Sequence, residues 1–295
     1  MLPGMTGRPR VAIVGAGNFG VALAVSLQRA GYTIESVTVR SRGASQKKAQ
    51  ILAKQLGARV LSDAADSTAE LVWFCVPDAE IAGAARSFAN TSGAKASEWK
   101  GRVAFHSSGA LGSNELSVLR QRGAAVASVH PLMTFVQGSR PSLAGVPFAI
   151  EGEAVAVRLA RRIVNDLGGN AYPIQKKDKA AYHAWGTFAS PLFTALLAST
   201  EQVAALAGVN RKAAKRRMIP ILLQTLANYA SFDAGDAFSG PIIRGDVETV
   251  KRHLQVLRKA PAASGVYVSL ALAALEYLPA KNKAQLRRTL VSARK

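Results

Sequence analysis

Val11-Ala12-Ile13-Val14-Gly15-Ala16-Gly17-Asn18-Phe19-Gly20 is an apolar tetrapeptide running straight into G-x-G-x-x-G. Four apolar residues without alternation predict a strand covered on both faces, as in parallel sheets. Phe19 to Arg29 then keeps helical spacing and stops at Gly31. Between strand and helix the three glycines serve different ends. The first makes the tight turn, the second lets backbone approach a pyrophosphate, and the third lets helix and strand pack closely. The helix start adds free N–H groups and the positive end of its dipole. Gly15, Ala16, Gly17, Asn18, Phe19 and Gly20 are therefore the expected dinucleotide cradle.

Outward from this stretch the pattern repeats. Strands are expected at Ile34 to Arg40, Ala58 to Leu61, Leu71 to Val76, Arg102 to Phe105, Ala124 to Val129 and Phe148 to Ile150, with a helix at Gln46 to Leu56. A last unit, helix Ala154 to Leu167 and strand Ala171 to Ile174, closes the sheet. Beyond Ala180 apolar residues recur at helical spacing and β-branched clusters thin out. The fold class is α/β: a Rossmann doubly wound, mostly parallel sheet followed by a mainly α-helical C-terminal domain. The domains are expected at 1–175, which binds the dinucleotide, and 176–295, which serves substrate and dimerisation. No internal repeat or low-complexity linker separates them.

The dinucleotide is expected to be NADP(H). Where an NAD-binding chain usually carries an acid at the end of the second strand, this one reads Arg40-Ser41-Arg42. Guanidinium groups hold a 2′-phosphate through paired hydrogen bonds. Val76-Pro77-Asp78 ends a strong strand and is expected to border the nicotinamide half, with Asp78 also a natural cap for a helix starting at Ala79.

Charge narrows the field of partners. The chain has 38 Lys plus Arg against 18 Asp plus Glu in 295 residues, a formal net charge of +20. Such a surface attracts anions. Aromatics make up only 6% and do not interleave with the basic clusters at 211–217 and 281–295, so nucleic acid is not the expected partner. A small, anionic substrate is. With Cys75 as the sole cysteine, no intrachain disulfide or cysteine zinc site forms, and no metal is expected. There is no signal-peptide pattern and no convincing membrane span, and a cytoplasmic location is expected.

Two further strand ends carry histidine: His106-Ser107-Ser108-Gly109-Ala110 and His130-Pro131-Leu132. Imidazole suits proton transfer near neutrality, and Ser107 and Ser108 offer hydroxyls to a substrate oxygen. Lys179, Tyr182 and His183 stand at i, i+3 and i+4 and share a helix face. Lys179, His183, Ser107, Ser108 and His130 form the candidate catalytic set. Ser239 to Asp246, with Gly240-Pro241 and Arg244-Gly245-Asp246, either reaches that set or is an interhelical turn capped by Asp246.

In order and spacing these segments resemble the bacterial family in which a Rossmann-like NADP-binding domain precedes a helical domain of unknown function. The layout is more distantly similar to the 6-phosphogluconate dehydrogenase-like superfamily, with its pyrroline-carboxylate, ketopantoate and prephenate enzymes. That resemblance implies a substrate in a cleft between domains and a homodimer formed by the helical domain. It also implies a catalytic lysine at the place of Lys179, although the asparagine expected four residues later is His183 here. The reading that follows is an NADPH-dependent reductase acting on C=O or C=N. A non-catalytic NADP-binding sensor is the alternative.

Overall fold

The computed structural model describes residues 7–38, 44–61, 67–91, 99–139 and 141–294. These form two compact units, 1–187 and 188–295.

The first unit is built on one eight-stranded sheet: β1 (Val11–Val14), β2 (Ile34–Thr38), β3 (Arg59–Leu61), β4 (Leu71–Phe74), β5 (Val103–His106), β6 (Ala125–Pro131), β7 (Pro147–Gly152) and β8 (Asn170–Pro173). Their order is β3-β2-β1-β4-β5-β6-β7-β8. All neighbours are parallel except β6 and β7. A parallel return needs a crossover element, and no helix is found among the described residues between β6 and β7, so the chain doubles back. The order reverses direction at β1 and β4, the place where doubly wound sheets bind ligands.

Helices α1 (Asn18–Arg29), α2 (Ala44–Leu56), α3 (Asp78–Thr91), α4 (Ser117–Gln121) and α5 (Ala154–Asp166) cover the sheet. Strand alternation divides the core in two. Val11, Ile13, Leu71, Trp73, Val103 and Phe105 face one core with Leu23, Leu27 and Ile163. Ala12, Val14, Val72, Phe74 and Ala104 face the other with Ile81, Phe88 and Leu119. Trp73 and Phe105 meet edge to face with centroids 5.1 Å apart, an arrangement worth about 0.5–1.5 kcal/mol beyond area burial.

The unit continues past the Gln175 boundary expected from sequence, through α6 (Lys179–Thr187). This helix belongs to it because Lys179 and Tyr182 turn inward, with 1% and 7% exposure. A π-turn at Phe188–Leu192, containing Pro191, then opens the second unit.

That unit is helical, as its periodicity predicts: α7 (Phe193–Leu206), α8 (Arg211–Ser231), α9 (Ala234–Ala237), α10 (Pro241–Arg244), α11 (Val247–Leu257), α12 (Pro261–Tyr277) and α13 (Lys283–Ser292). Val250, Leu254, Val268, Leu275, Leu286 and Leu290 make its core. The Gly/Pro segment is an interhelical turn. Gly245 ends α10 in the left-handed region, and Asp246 caps α11 by accepting from Thr249 N at 3.0 Å. No single helix among the described residues is long and apolar enough to cross a membrane.

Candidate active site

The glycine turn is shaped as its sequence requires. Gly15 has φ +107, and a Cβ there would lie 2.6 Å from the Cys75 carbonyl oxygen. A Cβ on Gly20 would lie 2.1 Å from the Gly15 carbonyl oxygen, so the third glycine is needed for the close crossing of α1 over the turn. Gly17 is different: its Cβ position meets only the Cys75 oxygen at 4.0 Å, leaving the middle of the turn open. Helix α1 starts there without a side-chain cap, because its N-cap residue is Gly17; the next residue, Asn18, donates from Nδ2 to the Phe135 carbonyl at 3.1 Å. Phe19 stacks edge to face on Phe135 at 5.0 Å. The open middle and uncapped N–H groups fit a pyrophosphate.

Val76 comes to the same place, its Cγ1 3.0 Å from the Cβ position of Gly15. Pro77 leads into α3, which begins at Asp78 and not at Ala79. The Asp78 carboxylate accepts a hydrogen bond from Ser108 Oγ at 2.8 Å. Arg40, Ser41 and Arg42 lie outside the described residues.

His106 and His130 both sit at the carboxyl edge of the sheet, on the adjacent parallel strands β5 and β6. His106 is fully buried and organises the loop that follows it. Its Nδ1 accepts from Ser108 N at 3.1 Å and its Nε2–H donates to Gly112 O at 3.0 Å. Burial holds its pKa down at about 4, so the ring is neutral.

Of the two candidate hydroxyls, that of Ser108 is committed inside the protein, whereas Ser107 is only half-buried. Ser107 Oγ accepts from Trp73 Nε1 at 2.8 Å. Ser108, 3% exposed, also accepts at Oγ from the backbone N–H groups of Ala110 and Leu111. Lys179 is committed likewise: Nζ donates to Ser108 O at 2.9 Å and Ser128 Oγ at 2.7 Å. Burial is the main cause that brings its pKa down to about 8, against the pull of Glu151 and Asp78.

His130 is half-buried. Its Nδ1 shares a 2.8 Å hydrogen bond with Tyr182 Oη. Burial, then the charge of Lys179, lowers its pKa to about 3. His183, exposed on the next position of α6, places its ring 6.1 Å from that of His130, at nearly a right angle. Both rings flank Gly109. The glycine turn, His130 and His183 thus belong to one sheet edge, whereas Lys179 and Ser108 stand behind it as supports. Sequence reading passed over Gly109, Ser128 and Trp73, whose roles rest on contacts between residues far apart in the chain. Among the described residues no group of three or more His, Cys, Asp or Glu is placed to hold a metal ion.

Two family models match the chain in tandem. Residues 5–131 match a Rossmann-like domain, and residues 146–274 match a domain of unknown function, DUF2520. The chain joins a Rossmann-like domain to a DUF2520 domain. No curated protein matches it. Among solved structures it is similar to a candidate NADP oxidoreductase from Bacteroides fragilis, with 21% identity, TM-score 0.74, and 90% of this chain and 97% of that one covered. An imine reductase from a Pseudomonas species gives 20% identity and TM-score 0.65, covering 96% and 100%. A pyrroline-5-carboxylate reductase from Coxiella burnetii gives 15% and 0.54, covering 97% and 98%. At these identities the likeness concerns the fold.

Proposed function

We propose that this protein is an NADPH-dependent oxidoreductase that reduces a C=O or C=N group of a small, anionic substrate. The observation that carries the reading is that two imidazoles, His130 and His183, converge on the bare backbone of Gly109 at the same sheet edge as an open glycine turn. Gly15, Gly17, Gly20 and the start of α1 would hold the pyrophosphate, and Val76-Pro77-Asp78 would border the nicotinamide. Arg40, Ser41 and Arg42 would hold the 2′-phosphate. The cofactor supplies hydride. His130 and His183 would contact the substrate, while Ser107, Ser108 and Lys179 keep their loop and helix in place. The solved structures similar in fold include an imine reductase bound to NADP+ and a reductive aminase bound to NADPH, which support the cofactor assignment. The excess of cationic residues supports an anionic substrate.

The second unit supports a homodimer. Leu223, Leu226, Tyr229 and Phe232 on and just after α8 are more than half exposed. An apolar groove of about 360 Å³, lined by Leu196, Val203, Phe238, Val266 and Leu270, lies in the same unit. A single chain leaves both uncovered, and exposed apolar area of this kind marks an interaction surface.

Titration with NADPH and NADH, repeated on the Arg40→Ala, Arg42→Ala variant, tests the cofactor. Tighter NADPH binding that collapses toward the NADH affinity in the variant is expected. Binding of neither nucleotide overturns the oxidoreductase reading and favours an interaction protein.

A further inference from the structure

The floor of the site has no side chain. A Cβ on Gly109 would stand 2.9 Å from His130 Nε2, 3.0 Å from its Cε1 and 2.6 Å from His183 Cδ2. The edge of the His130 ring that Tyr182 does not hold therefore packs against the bare backbone of this glycine, and the ring is only half-buried. The groups around His130 are Tyr182, His183, Lys179 and His106. None is a carboxylate. The two acids nearest Lys179 are occupied elsewhere: Asp78 accepts from Ser108 Oγ, and Glu151 accepts from the backbone N–H and hydroxyl of Ser113.

The direction of the Tyr182–His130 hydrogen bond follows from what each partner does best. A phenol is a better donor than acceptor, and an unprotonated imidazole nitrogen is the stronger acceptor of the two. The bond then runs from Tyr182 Oη–H to Nδ1, and the ring's own proton sits on Nε2. Desolvation and Lys179 keep the ring neutral, and burial raises the Tyr182 phenol well above its ordinary range, so neither partner ionises near neutrality.

We propose that Tyr182 fixes His130 as an Nε2–H donor above Gly109, and that this geometry selects a neutral carbonyl over a protonated imine as the group reduced. The proposal rests on the oxidoreductase reading and narrows its substrate class. An N–H donor needs a lone pair to point at. A carbonyl oxygen has two, and its charge grows as hydride arrives, so the interaction strengthens toward the transition state. A protonated imine has none and brings a second cation beside Lys179, whose ammonium already draws on the two nearby carboxylates, Asp78 and Glu151. The carbonyl carbon gains the hydride while the Nε2–H hydrogen bond steadies the growing negative charge on the oxygen, which then takes its proton from solvent; His130 and Tyr182 keep their own protons throughout. His130 is then the catalytic residue and Tyr182 a positioning residue.

The test has two arms on the full-length protein. Imidazole nitrogen NMR, with the signal assigned by its loss in His130→Gln, is expected to show Nδ1 unprotonated and Nε2 protonated across the neutral range. Tyr182→Phe is expected to disturb that pattern while leaving NADPH binding and the melting temperature close to wild type. In the second arm NADPH oxidation is followed with pyruvate and 2-oxoglutarate as carbonyl probes and N-methylpyrrolinium as an iminium probe without a lone pair. The carbonyl probes are expected to have kcat/KM at least about tenfold higher. Tyr182→Phe is expected to lower kcat on them by about tenfold to a hundredfold with little change in KM. A proton on Nδ1, a preference for the iminium, or an unchanged kcat in Tyr182→Phe overturns the proposal. Protein that binds NADPH and reduces neither class overturns its substrate half, and the NMR then decides the tautomer. Protein that binds no NADPH overturns the oxidoreductase reading instead, a result the titration alone identifies.

Discussion

Lys179 Nζ donates to Ser128 Oγ across 2.7 Å, joining the first residue of α6 to the middle of β6. The same ammonium reaches the Ser108 carbonyl, so one side chain ties helix, strand and loop together. Lys179→Met would leave these acceptors without their donor, a loss of about 1–3 kcal/mol at neutral pH. The sign of the pH dependence is also set. With a folded pKa of about 8 against 10.5 unfolded, the folded chain holds fewer protons between those values. Stability of wild type relative to the methionine variant should therefore be flat below about pH 8 and rise from there to about 10.5. Urea midpoints of the two proteins across that window are the measurement. A constant difference would mean that the ammonium is solvated.

Acid should act through the two buried imidazoles. His106 and His130 stay neutral in the fold to about pH 4 and about pH 3, whereas in the unfolded chain they take up protons below 6.5. Stability is lost as pH falls from 6.5 toward 4, and for fully buried His106 the loss is on the order of 3 kcal/mol. His106→Gln should flatten this limb in a thermal melt series, because an amide does not charge. An unchanged acid limb would assign the effect to other groups.

Two glycines should fail in different ways. In Gly20→Ala the new methyl meets backbone, the Gly15 carbonyl oxygen, and neither can yield, so a loss of about 1–3 kcal/mol or more in stability is expected along with nucleotide binding. In Gly109→Ala the methyl meets the ring edges of His130 and His183, which can swing aside. That variant should melt near wild type and bind NADPH normally, yet lose about tenfold or more in kcat. Melting curves, nucleotide titration and turnover on both proteins separate the outcomes. Full activity in Gly109→Ala would show that the ring positions set by that glycine do not matter to the reaction.

Placing a charge on the uncovered face of α8 should break the proposed homodimer. Leu226, 53% exposed in the single chain, is expected to be buried in the pair. Leu226→Asp should sediment as a monomer where wild type sediments as a dimer, at a concentration where both are folded by circular dichroism. A wild-type monomer would leave the face for a different partner.

The layered architecture was legible because it rests on local patterns. Val11–Val14 begins and ends where its apolar run does, and α5 and β8 fall within a residue of their expected bounds. The glycine turn was legible for the same reason, since its three spacings act within one turn of chain. The arrangement behind the site was not. Ser128 reads as an ordinary strand residue, and its meeting with Lys179 joins positions 51 residues apart. Lys179, Tyr182 and His183 do follow one another around α6, but spacing alone does not say that the first two go inward and the third faces solvent. Likewise a serine offered to substrate by its position in a loop is withdrawn by Asp78, 30 residues away.

Every polar atom of Ser108 has a partner. Its N–H goes to His106, its hydroxyl to Asp78 and to two backbone amides, and its carbonyl to Lys179 and Ser128. A residue so shared resists piecemeal change: losing its hydroxyl strands the Asp78 carboxylate and the Ala110 and Leu111 amides, and losing Lys179 or Ser128 takes a donor from its carbonyl. Drift toward new substrates would have to enter through residues without such ties, and His183, the exposed member of the imidazole pair, is one of them. Ancestry could thus alter what the pocket accepts while the scaffold beneath it stayed the same.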